Sequence, residues 1–130
     1  MSEREEFDAP GGPAPISHYC DAVRAGNLLY VSGCPATDGD GRLVGGDDTV
    51  AQCRQVLENL RRALAAGGCE PKDVVKVTVF LTDVEDRPRI NPLRQAFFGD
   101  ARPASTLVGV RELPVPGMKV EIEAVVGLRK

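Results

Sequence analysis

Two carboxylates near the C-terminus, Glu121 and Glu123, have the residue type and the spacing most suited to chemistry. They alternate with apolar residues over positions 119–126, a pattern that predicts a β-strand. Residues two apart on a strand share one face and lie roughly 7 Å apart. On an open face both would be ordinary solubilising charges. On a covered face, a carboxylate becomes a candidate acid–base group with a perturbed pKa, and the pattern alone leaves both readings open.

The remaining reactive residue types do not form a metal-binding pattern. The chain has four cysteines and one histidine, and no two cysteines have the C-x-x-C spacing of zinc sites. We therefore expect no metal and no cofactor, and we expect the cysteines to be free thiols. Cys53 falls on the apolar stripe of a predicted helix, so it is expected in the core.

The elements that must position these residues follow the order β-β-α-β-α-β-β. Helical spacing of apolar residues predicts a long helix over residues 49–66, with Asp47 and Asp48 as N-terminal caps and glycines ending it. A second helix follows Pro88 and ends near Phe98. Strands are predicted at 19–23, 28–33, 73–81, 105–110 and in the C-terminal segment. Residues 1–15, rich in proline, glycine and charge, are expected to be a flexible arm before a single domain over residues 16–130.

Two amphipathic helices can cover only one face of such a sheet, so the other face meets water or another subunit. The 73–81 strand is predicted to be apolar on both faces, which favours oligomerisation. One face would carry Val75, Val77, Val79 and Leu81, and the other Val74 and Phe80.

Composition excludes several classes of protein. The chain of 130 residues has a net charge of −3, so a basic nucleic-acid-binding face is not expected and nucleic acid is a disfavoured partner. It has no apolar run of about 18 residues that could span a membrane. The acidic N-terminus does not have the pattern of a secretory signal, so a cytoplasmic location is expected.

Several spaced motifs together resemble the RidA/YjgF family of reactive-intermediate deaminases, formerly called the L-PSP family. The resemblance extends from about Ala14 to Val126. The motifs are I-S-H-Y at 16–19, A-V-R-A-G-N-L-L-Y-V-S-G at 22–33, D-V-V-K-V-T-V-F-L-T-D at 73–83, R-P-A at 102–104, L-P at 113–114 and V-E-I-E-A at 120–124. It implies an α/β (α+β) chorismate-mutase-like fold: a mixed sheet with two helices on one face, assembled as a homotrimer with clefts between subunits.

The resemblance also implies an activity: hydrolysis of small 2-imino acids, or their enamine tautomers, to 2-oxo acids and ammonia without a cofactor. Its site motifs match four positions of this chain and depart at a fifth. Glu121 corresponds to the glutamate that activates water, and Tyr19, Gly33 and Asn91 correspond to residues that line the cleft. Ser105 stands where the deaminases carry a substrate-binding arginine, with Thr106 and Leu107 beside it.

The serine at position 105 implies a changed substrate, because a hydroxyl offers neither fixed charge nor a bidentate fork. Loss of such a bond typically costs ~2–5 kcal/mol. The leading hypothesis is thus a deaminase-like hydrolase acting on a different small imine or enamine. The alternative is a non-catalytic relative that binds a metabolite or a protein partner in the same clefts.

Two further residues of reactive type lie near the expected cleft. Cys34 follows Gly33 and is a possible reactive thiol, although the sequence shows no neighbouring cation to lower its pKa and an inert thiol is favoured. His18 could pair with Ser105 as a nucleophile and base, but no third orienting group is evident and an exposed loop histidine is favoured.

Overall fold

Residues 3–128 are described by a computed structural model, which has a six-stranded mixed sheet and two α-helices. The strands are β1 (Arg4–Phe7), β2 (Ala22–Ala25), β3 (Leu28–Cys34), β4 (Val74–Leu81), β5 (Ala104–Gly109) and β6 (Val120–Gly127). The helices are α1 (Thr49–Ala66) and α2 (Arg87–Phe98). The sheet order is β1-β2-β3-β6-β4-β5, with β4 and β5 parallel and every other pair antiparallel.

Helix α1 forms where the apolar spacing predicts it. Asp48 is its N-cap, and its side chain accepts hydrogen bonds from the Val50 and Ala51 backbone N–H groups. The helix ends at Gly67, whose backbone runs so close to Leu29 that a β-carbon there would lie 2.7 Å from the leucine side chain. The prediction of Cys53 as a core residue is confirmed, since it is fully buried.

The predicted alternation of β4 is wrong at its first two residues. Val74 is buried and Val75 is 49% exposed, the reverse of the expected pattern. The register between β4 and β6 shifts between Val74 and Lys76, so one additional residue bulges out of the strand. A prediction that assumes strict alternation along the strand does not include such a bulge. Beyond the bulge, the predicted buried face of β4 is correct.

The N-terminal segment contains a strand that the sequence did not predict. Residues 1–15 were expected to be a flexible arm, yet Arg4–Phe7 pairs antiparallel with β2 along its whole length. The sequence of β1 is mostly charged and gives no apolar alternation, because three of its four residues are exposed at the edge of the sheet. Backbone pairing, rather than side-chain burial, accounts for this strand.

Two buried polar side chains of α1 fix the chain segments around the ends of β3 and β6. The Gln52 amide donates to the Gly46 and Gly117 carbonyls and accepts the Lys119 N–H, immediately before β6. The Asn59 amide donates to two carbonyl oxygens just after β3, at distances of 2.9 Å. Every such bond holds a loop in place relative to α1, so the helix positions the strand ends that carry Gly33 and Glu121.

The sheet face opposite the helices retains exposed apolar side chains. Tyr30, Val75 and Val108 are 47%, 49% and 37% exposed, respectively. They lie on three different strands, β3, β4 and β5.

Candidate functional site

A β-bulge in β3 brings Gly33 against the carboxyl group of Glu121. Val31 pairs with Ala124 and Cys34 pairs with Ile122, so two residues of β3 lie opposite one residue of β6. Both Val31 and Cys34 are buried, which leaves Gly33 on the other face of the strand, with Glu121. A β-carbon built on Gly33 would lie 2.5 Å from Glu121 Oε2. Only glycine leaves room for the carboxyl group in this position.

The Glu121 carboxyl group is held partly out of water and without a counter-charge. Burial, followed by the negative charge of Glu123, raises its pKa above the ordinary glutamate value. Among residues 3–128, no hydrogen bond or ion pair is made by this side chain. A raised pKa increases the basicity of the carboxylate, and an unpaired carboxylate is available to accept a proton from water.

Glu121 lies in the wall of a cavity of about 270 Å³. Three of the sequence-predicted residues line this cavity together with it, namely Tyr19, Gly33 and Cys34. The Tyr19 ring is 41% exposed and its hydroxyl accepts a hydrogen bond from the Ile16 N–H at 3.3 Å. The cavity is therefore a mostly apolar space whose wall includes the carboxyl group of Glu121 and the phenol of Tyr19, which suits a small organic molecule.

The Cys34 thiol is buried in the wall of the cavity. Burial raises its pKa far above the ordinary cysteine value, and the charges of Asp21 and Glu121 act in the same direction. The Sγ atom lies 3.5 Å from the Ser32 carbonyl oxygen. Each of these causes favours the protonated thiol, which is the less nucleophilic form.

Five other sequence-predicted residues lie elsewhere on this chain. Asn91 lines a second, shallow depression beside the C-terminal half of α2. The Ser105 hydroxyl accepts a hydrogen bond from Arg94 Nη2 at 2.9 Å, and the Thr106 hydroxyl accepts one from Lys76 Nζ at 2.6 Å. Leu107 is partly buried and packs against the core. His18 is exposed in the loop before β2 and is not part of the cavity wall.

The described residues include no cluster of three or more histidine, cysteine or acidic side chains that could hold a metal ion. Over the same part of the chain, neither helix has the length and apolar character needed to cross a lipid bilayer.

A family model described as "Endoribonuclease L-PSP" matches residues 10–127 of this chain. The chain belongs to this family, also called RidA/YjgF. A RutC family protein from Pyrococcus horikoshii is 39% identical, over 94% of this chain and 96% of that protein. The mouse protein named 2-iminobutanoate/2-iminopropanoate deaminase is 37% identical, over 94% of this chain and 90% of its own.

Solved structures of RidA/YjgF proteins have the same fold. A putative endoribonuclease from Thermotoga maritima superposes with a TM-score of 0.90 at 39% identity, over 97% of this chain and 98% of that one. The six-stranded mixed sheet with two helices is therefore the fold of the RidA/YjgF family, as the sequence motifs predicted.

In this RidA/YjgF protein, two polar residues were not predicted as site residues from the sequence. One lines the cavity and the other lines the second depression. Asp21 lines the cavity and accepts the Ala9 N–H at 2.8 Å, and burial is the main reason that its pKa is raised. Arg94 lines the second depression. The sequence did contain an indication of Arg94. Residues 90, 93, 94 and 97 have the spacing of the apolar face of a helix, and Arg94 is the one charged residue among them.

Proposed function

We propose that this RidA/YjgF protein is a deaminase that hydrolyses small imines or enamines to a carbonyl compound and ammonia. The observation that carries the proposal is the unpaired, partly buried Glu121 carboxyl group in an apolar cavity against Gly33. The relatives named as deaminases of 2-iminobutanoate and 2-iminopropanoate favour the same chemistry.

In the proposed reaction Glu121 moves one proton in each of two steps. In the first, the carboxylate takes a proton from water as the water oxygen bonds to the C=N carbon, and the nitrogen receives that proton. In the second, Glu121 removes the proton of the new hydroxyl group as the C=O bond forms. The C–N bond breaks and the nitrogen leaves as ammonia with the transferred proton. The raised pKa of Glu121 suits both directions of transfer.

The cavity around Glu121 forms only part of the proposed cleft. Asn91, Ser105 and Thr106, which the family resemblance also assigns to the cleft, line or border other surfaces of the same chain. We propose that a second copy of the chain supplies these residues, within a homotrimer built on the exposed apolar sheet face. Tyr30, Val75 and Val108 on that face agree with burial between copies.

Ser105 provides no charge for a substrate carboxylate, unlike the arginine that the family resemblance implies at this position. Either another group of this chain binds the carboxylate, or the substrate has none.

Hydrolysis can be tested with 2-iminobutanoate generated in the assay by an amino-acid oxidase, with imine loss followed by trapping with semicarbazide. We expect the wild-type protein to accelerate the loss, and Glu121→Gln to lower the rate by roughly 10²- to 10⁴-fold. Glu123→Gln is the matched control, since it removes the neighbouring exposed carboxylate on the same strand. No acceleration by wild type with charged or uncharged imines would leave the alternative, a metabolite- or protein-binding relative without catalysis.

A further inference from the structure

Arg94 is a partly buried guanidinium whose hydrogen-bonding groups are largely unused. Its Nη2 atom donates to Ser105 Oγ at 2.9 Å, while its Nε atom is buried without a hydrogen-bond partner. No acidic side chain within residues 3–128 lies within 4.0 Å of it. An arginine has five N–H donors, and a buried donor without a partner carries a free-energy penalty.

Several other arginines of the chain differ from Arg94 in this respect. Arg24, Arg61, Arg62 and Arg89 all form ion pairs with carboxylates at the surface. Such exposed pairs need little compensation because water solvates both partners. Arg94, in contrast, is partly shielded from water and forms no ion pair with a carboxylate of the described residues. Burial accordingly lowers its pKa, with the nearby Cys53 thiol acting in the opposite direction.

The surroundings of Arg94 have the size and charge for a small anion. The depression has a volume of about 460 Å³ and is lined by Asn91 and by a second arginine, Arg102. Asn91 lies one helical turn before Arg94, so both side chains project to the same side of α2. Asp100 also lines the depression, but its carboxylate is more than 4.0 Å from the guanidinium. Two cations and one anion leave a local positive excess on a chain whose net charge is −3.

We propose that Arg94 binds the carboxylate of a 2-imino or 2-oxo acid and thereby supplies, from α2, the cation that Ser105 does not provide. Because Nε is buried and one Nη2 hydrogen is donated to Ser105, the carboxylate would meet the Nη1–Nη2 edge of the guanidinium, which can donate to two oxygens. Ser105 orients the guanidinium through its hydroxyl group, and Asn91 offers an amide donor beside it. The proposal rests on the proposed function, since a second copy must bring its Glu121 cavity against this depression.

Binding of 2-oxobutanoate, a stable acid, tests the proposal without requiring turnover. Calorimetric titration of the wild-type protein is expected to show binding, and Arg94→Gln is expected to weaken it roughly 10- to 150-fold. Arg89→Gln is the matched control on the same helix, because Arg89 already pairs with Asp86. Butanone, which has the same carbon chain without the carboxylate, is expected to show no difference between wild type and Arg94→Gln.

A second variant separates the loss of charge from misfolding. Arg94→Gln/Ser105→Arg returns a guanidinium to the same place from β5, so it is expected to recover most of the lost affinity. Thermal melting establishes that each variant is folded. Unchanged affinity in Arg94→Gln, or no recovery in a folded double variant, would overturn the proposal. So would a loss that appears instead in Lys76→Gln, because among the described residues Lys76 is the other cation bonded to a β5 side chain.

The same measurements separate this proposal from the proposed function. If the wild-type protein hydrolyses no imine but binds 2-oxobutanoate through Arg94, the carboxylate site stands and the catalytic role of Glu121 fails. If it hydrolyses imines and Arg94→Gln leaves the KM for 2-iminobutanoate unchanged, the function stands and the role of Arg94 fails.

Discussion

Replacement of Gly33 by alanine should damage catalysis far more than it damages the fold. A β-carbon at this position would lie 2.5 Å from Oε2 and 2.7 Å from Cδ of Glu121. Carbon atoms in ordinary contact are about 3.5–4.0 Å apart. The carboxyl group must therefore move by about 1 Å. Gly33 is not among the residues with positive φ, so alanine fits its backbone conformation without strain.

The two consequences of this displacement differ in magnitude. Moving Glu121 to a less favourable side-chain conformation costs about 0.5–1.5 kcal/mol. Alanine also restricts the unfolded chain relative to glycine, which returns about 0.4–1 kcal/mol, so the net change in stability is about 1 kcal/mol or less. A misplacement of about 1 Å in a reacting group, however, can lower the rate about 100-fold. We expect Gly33→Ala to retain its melting temperature within a few degrees and to lose about two orders of magnitude in kcat/KM.

The assay is imine loss with 2-iminobutanoate, combined with thermal melting. Gly127→Ala is the matched control, since a β-carbon there makes an ordinary 3.5 Å contact with Val75. The double variant Gly33→Ala/Glu121→Gln tests whether Gly33→Ala lowers the rate by displacing Glu121. If so, the double variant should be no slower than Glu121→Gln alone, because the displaced group is already inactive. A folded Gly33→Ala protein with near wild-type kcat/KM would refute the reasoning, as would fully additive losses in the double variant.

Three other variants or measurements follow from the same structure. Glu121→Gln should raise the melting temperature at pH 7, because the pKa of Glu121 is raised in the folded state and its ionisation therefore opposes folding. Melting curves measured across pH should show this gain disappearing near pH 4, below the pKa of the glutamate in the unfolded chain. Asn59→Ala leaves two buried loop carbonyls without their donor and should cost about 2–4 kcal/mol in urea unfolding, whereas a loss below about 0.5 kcal/mol would contradict this role. With a thiol reagent under native conditions, the partly exposed Cys20 should react first, and Cys34 should react only after denaturant is added.

The helices could be predicted from sequence because their signals are local. Thr49–Ala66 has a regular apolar stripe, a capping aspartate and terminal glycines, and its bounds match the prediction. The strands were less predictable where pairing partners decide the conformation. The bulge at Val75 depends on the register with β6, and β1 depends on an edge of β2, so neither is visible in the local pattern.

The residues of the candidate site were likewise only partly predictable from the sequence. The closeness of Glu121 to Gly33 depends on a bulge that no periodicity in β3 reveals, and only the motif resemblance brought the two residues together. Arg94 was overlooked because a charged residue on a helix is usually solvated. Its position on the apolar stripe was the available signal, but the partner hydroxyl at Ser105 could be found only from the tertiary structure.

The two edges of the sheet have different consequences for handling this protein in solution. The β1 edge presents Arg4, Glu5 and Glu6 to solvent, and exposed charges of this kind discourage strand addition by other molecules. The opposite edge, Ala104–Gly109, has no charged residue and five of its six residues are exposed. Of the two edges, the β5 edge is therefore the one more open to strand addition by another molecule.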